Sequence, residues 1–167
     1  MNLLPPINFK NWIEENRHIL KPPVGNKVVY ENSDFMIMVV GGPNSRKDYH
    51  VDPVEEFFYQ VEGDMVLKVM DNHKRVDIAI KEGEIFILPK NIPHSPQRFE
   101  NTVGLVIEYK REEGALDGFQ WYCDYCDNLL HEVTLDLEDI VIQLPPLFDS
   151  YWNDIQARTC TKCGLSL

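Results

Sequence analysis

A chain of 167 residues with 44% hydrophobic and 26% charged side chains can bury one core with a small appendage, as ordinary soluble globular proteins do. With 16 Lys and Arg against 27 Asp and Glu, the formal net charge of -11 excludes nucleic acid as a partner, because phosphate binding needs clustered cations. Met1-Asn2-Leu3-Leu4-Pro5-Pro6 has neither a basic start nor a long apolar stretch, and runs such as Phe35 to Val40 are too short to cross a membrane, so the chain reads as cytosolic.

Asn8 is placed to cap a short helix with Phe9, Trp12 and Ile13 on one face, and Pro22-Pro23 would stop it from continuing. From Lys27 to Tyr109 the sequence becomes a series of short β-like runs: Val28 to Tyr30, Phe35 to Val40, Glu56 to Val61, Asp64 to Met70, Val76 to Ile80, Glu84 to Leu88 and Leu105 to Tyr109. Turn residues separate them at Gly41-Gly42-Pro43-Asn44, Glu62-Gly63-Asp64, Asp71-Asn72-His73, Lys81-Glu82-Gly83 and Glu100-Asn101. Many short strands without intervening helices predict an all-β antiparallel sandwich or barrel. His131 stands at the start of a further strand.

His50, Glu56 and His94 are the residues that carry chemistry. On one straight strand His50 and Glu56 would be about 20 Å apart at ~3.3 Å per residue, so the chain must turn between them. Asp52-Pro53 supplies that turn, which places His50 in the turn and Glu56 at the start of a strand. Two imidazoles and one carboxylate make a mononuclear metal site of the kind that non-haem Fe(II) oxygenases use with open coordination positions. Glu55 and Glu56 both satisfy simple spacing, and neighbouring strand residues face opposite sides, so only one of them can point inward.

The stretch Gly83-x5-Pro89-x-Asn91-x2-His94 resembles the second sequence motif of the cupin jelly roll, with Asn91 where a glycine is usual. In the looser first motif Asp48 takes the first histidine position, His50 the second, and Gly63 ends the motif. Gly41-Gly42-Pro43-Asn44, Asp48-Tyr49-His50, Asp52-Pro53, Glu55 to Gln60 and His94-Ser95-Pro96-Gln97-Arg98 together resemble the 3-hydroxyanthranilate 3,4-dioxygenases of the short bacterial and fungal type. The likeness extends through Lys21 to Asn26, Leu116-Asp117-Gly118-Phe119, Trp121-Tyr122-Cys123 and Leu144-Pro145-Pro146-Leu147-Phe148.

The resemblance implies a cupin barrel over residues 1–118, a homodimer, and Fe(II) held by His50, Glu56 and His94, which settles the choice between the glutamates. It implies opening of the ring of 3-hydroxyanthranilate with O2 to 2-amino-3-carboxymuconate semialdehyde, the precursor of quinolinate between tryptophan and NAD. It implies that Glu108 binds the substrate and that Arg46 lies near O2; Glu56 and Arg98 join Glu108 as expected substrate-binding residues, and Arg46 and Glu108 are expected to be catalytic, Glu108 as a proton acceptor from the substrate hydroxyl or amino group. The residue types fit this chemistry. Arg98 lies four residues past His94 and faces the same side of an extended segment, and its planar fork suits the substrate carboxylate. Glu108 shares parity with Val106 and points into the barrel, where a carboxylate needs a partner.

Cys123-x2-Cys126 and Cys160-x2-Cys163 account for all 4 cysteines. Two such knuckles present four thiolates to one tetrahedral ion, iron or zinc, in an extension spanning residues 119–167 that anchors the C-terminal tail. Disulfides would not persist in a reducing cytosol. His18, His73 and His131 read as surface or packing residues, Phe57, Phe58 and Tyr59 as core and pocket wall, and Trp12, Trp121 and Trp152 as packing for the tail or a subunit contact. Two other classes share the barrel pattern: a metal-dependent cupin isomerase, active without O2, and a noncatalytic cupin that binds a small ligand.

Overall fold

The computed structural model describes residues 3–22, 25–31 and 33–167. Met1 and Asn2 of the N-terminal segment, and Pro23 of the expected Pro22-Pro23 stop, lie outside the described residues. Helix α1 (Phe9–Asn16) begins where the sequence indicates, with the Asn8 side chain accepting a hydrogen bond from Asn11 N at 3.0 Å. Its Ile13 packs with Leu20, Val39 and Val103 against the outside of the barrel.

Eleven strands follow among the described residues: β1 (Asn26–Val28), β2 (Phe35–Gly41), β3 (Asp48–Val51), β4 (Glu56–Glu62), β5 (Met65–Asp71), β6 (Lys74–Ile80), β7 (Ile85–Leu88), β8 (His94–Arg98), β9 (Val103–Tyr109), β10 (Asp117–Tyr122) and β11 (Leu129–Leu135). They form two antiparallel sheets, one ordered β1-β2-β9-β4-β7 and the other β11-β10-β3-β8-β5-β6. Each sheet joins consecutive pairs, β1-β2 in one and β5-β6 and β10-β11 in the other, to strands distant in sequence. The faces turned toward each other bury Phe58, Met65, Leu67, Val69, Ile80, Leu88 and Val106. Full burial of a side chain such as Phe58 contributes about 2–3 kcal/mol.

The turns explain much of this path. Gly63, Gly83 and Asn91 have positive φ, at 63°, 84° and 62°. Asn91 thus holds the left-handed conformation for which glycine is usual at its motif position, and asparagine is among the few other residues that tolerate it.

Two local expectations need correction, and two further elements were not assigned from sequence. The first strand lies at Asn26–Val28 rather than Val28 to Tyr30. His50 is not in a turn but within β3, a strand too short and polar to show a clear alternation. The run Asp117–Tyr122, not assigned as a strand from sequence, is β10, which pairs with β3 and β11. Residue 118 lies inside this strand. Finally, the segment containing Pro145 and Pro146 is helical: α2 (Ile140–Asn153) runs through both prolines and is followed by α3 (Ile155–Arg158).

Two consecutive prolines remove two helical donors and ordinarily break a helix. Here Leu144, Leu147, Phe148 and Tyr151 recur at helical spacing, and the cluster they form with buried Phe119 and Trp121 of β10 holds the segment in place. Asp139 starts the helix, its carboxylate accepting from Ile142 N at 3.1 Å. The tail is therefore bound to the barrel by its own apolar face as well as through the cysteine knuckles.

Candidate metal centre

The two sheets contribute different chemistry to the space between them. Neighbouring strands β3 and β8 place His50 and His94 directly opposite each other, and in the facing sheet β4 and β9 do the same for Glu56 and Glu108. One nitrogen from each imidazole and one oxygen of Glu56 lie within 4.8 Å of one another. Glu56 is buried while Glu55 is exposed, so strand parity turns Glu56 inward.

Each histidine is held from behind. His94 Nδ1 sits 3.0 Å from Ile92 O, which turns Nε2 toward Glu56. His50 Nε2 lies 2.6 Å from Asp117 Oδ1, and its ring stacks on Phe119. Fixing one ring nitrogen in this way sets the ring orientation that a metal ligand needs.

Glu56 Oε1 lies 2.7 Å from His94 Nε2, yet it is buried without an aligned hydrogen-bond donor. A buried carboxylate oxygen left so is costly unless a cation completes its environment. Burial opposes ionisation of Glu56, but His94 beside it outweighs this and holds the carboxyl below its usual range. The wider surroundings point the same way: the carboxyl groups of Asp52, Glu56, Glu108 and Asp117 are all buried around this cluster, against the guanidinium groups of Arg98 and the partly buried Arg111. The donor set and the charge fit a divalent cation.

A cavity of about 270 Å³ opens onto this cluster, and Arg46, Arg98, Glu108, Arg111, Phe119 and Leu144 are among the residues lining it. Arg98 is 4% exposed, donates to Gln60 Oε1 at 3.3 Å and keeps an unpartnered Nε. Among the described residues no carboxylate lies within ion-pair distance of it. Burial lowers its pKa to about 10 despite the pull of Glu56. Room for the guanidinium comes from Gly104 on β9, where a Cβ would lie 2.5 Å from Arg98 Nη1 and 2.9 Å from Gln60 Oε1.

Arg46 is engaged differently, its Nε and Nη2 both on the buried carboxylate of Asp48. Asp48, the residue standing where cupins usually have a histidine, thus pairs with an arginine and takes no part in the cluster of His50, Glu56 and His94. Glu108 is 5% exposed, and burial together with Glu56 and Asp52 pushes its carboxyl up to about 8 against the opposing Arg111. Sequence reasoning brought together His50, Glu56, His94, Arg46, Arg98 and Glu108, and all six line this cavity. It missed Gly104, Arg111 and Asp117. A glycine inside an apolar strand was the available signal for the first, while the other two lie outside the metal motifs.

The four cysteines form a second group, with their Sγ atoms all within 4.8 Å of one another. Cys123 and Cys163 Sγ are 3.5 Å apart, and Cys126 and Cys160 Sγ 3.6 Å. Tetrahedral thiolates at ~2.3 Å from an ion would be separated by roughly 3.8 Å, so little movement is needed. The two knuckles repeat one backbone pattern: Asp127 N donates to Cys123 O at 3.1 Å and Gly164 N to Cys160 O at 2.8 Å. Asp127 and Gly164, each directly after the second cysteine of its pair, both have positive φ. Although burial works against it, backbone N–H groups of Cys163 and Lys162 lower the Cys160 thiol to about 6, favouring the thiolate. The barrel grips the first knuckle through Lys47, 2.6 Å from Asp124, and Arg75, which donates to Cys123 O at 3.2 Å. His18, His73 and His131 stand apart from the metal-capable groups of the described residues, and His131 stacks on Tyr151 and lies tilted against Trp121.

A two-sheet antiparallel barrel with inward-facing histidines and carboxylate between its sheets is a metal-dependent cupin. Within that class, the chain belongs to the 3-hydroxyanthranilic acid dioxygenase family, whose model matches residues 1–152. The 3-hydroxyanthranilate 3,4-dioxygenase of Jannaschia sp. (strain CCS1) is 59% identical over 165 residues, covering 98% of this chain and 92% of that protein. The protein of the same name from Shewanella woodyi is 55% identical, with 98% and 87% covered. A crystal structure of a protein from Neisseria meningitidis matches in fold, with a TM-score of 0.51 and 23% identity over 64% of this chain and 100% of that one. Among the described residues, no helix is long and apolar enough to cross a membrane.

Proposed function

We propose that this chain is an Fe(II)-dependent 3-hydroxyanthranilate 3,4-dioxygenase that opens the substrate ring with O2 to give 2-amino-3-carboxymuconate semialdehyde. The observation that carries the site assignment is the presence, in one buried cavity, of the His50, Glu56 and His94 donor set and an Arg98 guanidinium with no carboxylate partner among the described residues. An anionic aromatic ligand with its own metal-chelating groups satisfies both at once. Relatives named for this activity over nearly the full chain support the choice of substrate.

His50, Glu56 and His94 would hold Fe(II), which supplies a common binding point for O2 and the o-aminophenol and a route for electron density from one to the other. Arg98 binds the substrate carboxylate through its planar fork, and so fixes which ring edge faces the metal. Glu108, opposite Glu56 and made more basic by burial, accepts a proton from the substrate hydroxyl or amino group in its carboxylate form. Arg46, anchored by Asp48, directs positive charge to the side of the cavity where O2 enters. Met38, Phe58 and Val106 give the opposite wall an apolar surface that limits water.

In this reading residues 1–118 carry the ring-opening chemistry, and residues 119–167 form an extension whose four cysteines bind a structural iron or zinc ion. The protein acts as a cytoplasmic homodimer, an assembly supported by exposed Ile85 and Ile87 on the edge strand β7 and tested by sedimentation velocity.

Adding 3-hydroxyanthranilate to the Fe(II)-loaded protein is expected to consume O2 in equal amount and to raise near-ultraviolet absorbance as the ring opens. Full iron loading without O2 uptake would defeat this function. Two variants probe the supporting parts. Gly104→Ala forces the Arg98 guanidinium aside and should raise KM about tenfold with kcat nearly unchanged, since overpacking of ~1–3 kcal/mol falls on the binding group. Cys126→Ser should release the metal of the extension and lower Tm by more than ~3 °C, the shift that ~1 kcal/mol produces at this size. Iron bound at the barrel site should be unaffected in that variant, as metal analysis with one equivalent retained would verify.

A further inference from the structure

Arg111 follows the end of β9 at the rim of the cavity, and its three donor directions go to three different buried carboxylates. Nη1 donates to Glu108 Oε1 at 3.0 Å, Nη2 to Asp52 Oδ2 at 2.8 Å and Nε to Asp117 Oδ2 at 2.7 Å. The other oxygen of Asp117 is the one 2.6 Å from His50 Nε2. A continuous chain of hydrogen bonds therefore joins Glu108 on one sheet, through Arg111 and Asp117, to His50 on the other.

We propose that Arg111 is a positioning residue that sets the metal-binding imidazole of His50 and the substrate-facing carboxylate of Glu108 from a single guanidinium. The inference rests on the functional reading above. Three observations support it. Arg111 is one of the few cations in a heavily acidic pocket, so without it three buried carboxylates would repel one another and turn away. Its bonds leave from three separate nitrogens of one plane, which fixes their relative directions in a way a lysine ammonium on a flexible stem cannot. Asp52 closes the set from the turn just after β3, so the same group also ties the chain between His50 and Glu56. That Asp52 Oδ1 also accepts from Val54 N at 2.9 Å gives Arg111 a rigid point to pull against.

The test compares wild type with Arg111→Lys, Asp117→Asn and the double variant, measuring Fe(II) affinity by chelator competition, kcat and KM for 3-hydroxyanthranilate, and Tm. Loss of an outer partner of a metal ligand typically costs 10- to 100-fold in affinity. Both single variants should lose Fe(II) affinity within about that range, and the double variant should lose no more than the weaker single variant, because the two residues act along one path. At matched iron loading, Arg111→Lys should also lower kcat about 10- to 100-fold through Glu108, with KM changed less than threefold, whereas Asp117→Asn should show a smaller kcat loss. Wild-type Fe(II) affinity and kcat in Arg111→Lys would overturn the proposal, as would strictly additive affinity losses. A lower Tm with unchanged affinity and kcat would reduce Arg111 to a purely structural role and overturn it too. The affinity cycle needs no substrate, so it stands apart from wild-type O2 uptake, whose absence would sink the functional reading instead.

Discussion

Replacing His94 by Ala is expected to abolish both Fe(II) retention and O2 uptake with 3-hydroxyanthranilate. His94 is 2% exposed, and its ring is fixed by the Ile92 carbonyl so that Nε2 meets Glu56. Removing a ligand must cost more than the roughly 100-fold that an outer partner can cost. The same variant leaves the Glu56 carboxylate buried in the place where its opposing imidazole stood, an uncompensated charge that adds instability. Metal analysis after gel filtration separates the effects: wild type keeps one barrel-site iron per chain, and the variant keeps none while still holding the ion at the four cysteines. Retention of the barrel-site iron with normal turnover would remove His94 from the ligand set.

Arg98→Ala acts on the substrate side. If Arg98 binds the substrate carboxylate, its loss removes charge-assisted hydrogen bonds of about 1.5–3 kcal/mol, which corresponds to a KM raised about tenfold to a hundredfold. A decarboxylated o-aminophenol should bind wild type and variant alike, since it has nothing to offer the guanidinium. Steady-state kinetics with both compounds checks this, and an unchanged KM for 3-hydroxyanthranilate in the variant would exclude the role. The burial of Arg98 makes the effect large. A charged group with one donor on Gln60 and an unpartnered Nε has little solvent to take the place of a ligand.

Much of the barrel could be read from the chain because its inward faces follow a period of two. Phe35 to Val40, Glu56 to Val61 and Val76 to Ile80 were recognisable as runs, and their boundaries moved by two residues or fewer, as at Lys74–Ile80. Strand β3 escaped notice because only four residues form it and two of them, Asp48 and His50, turn polar groups inward. Helix α2 was hidden by Pro145 and Pro146, whose local preference loses to the packing of Leu144, Leu147, Phe148 and Tyr151 on β10.

The candidate site divides along similar lines. His50, Glu56 and His94 were legible because metal ligands must be particular residue types near particular turns, and the choice of Glu56 over Glu55 needed family likeness. The residues that orient them were not legible. Asp117 lies 67 positions from His50 in sequence, and Arg111 reaches carboxylates in two sheets and a turn. No local pattern records such pairings, since they exist only once β10 has paired with β3. Gly104 shows the same dependence: its missing side chain has meaning only beside Arg98.

The most direct test of the account is an anaerobic titration of Fe(II)-loaded protein with 3-hydroxyanthranilate, followed through the Fe(II) spectrum. Wild type should show a saturable perturbation at one substrate per barrel-site iron, with His94→Ala protein given the same iron showing none. A perturbation of equal size in both proteins would contradict the assignment of metal and substrate to the cavity between the two sheets.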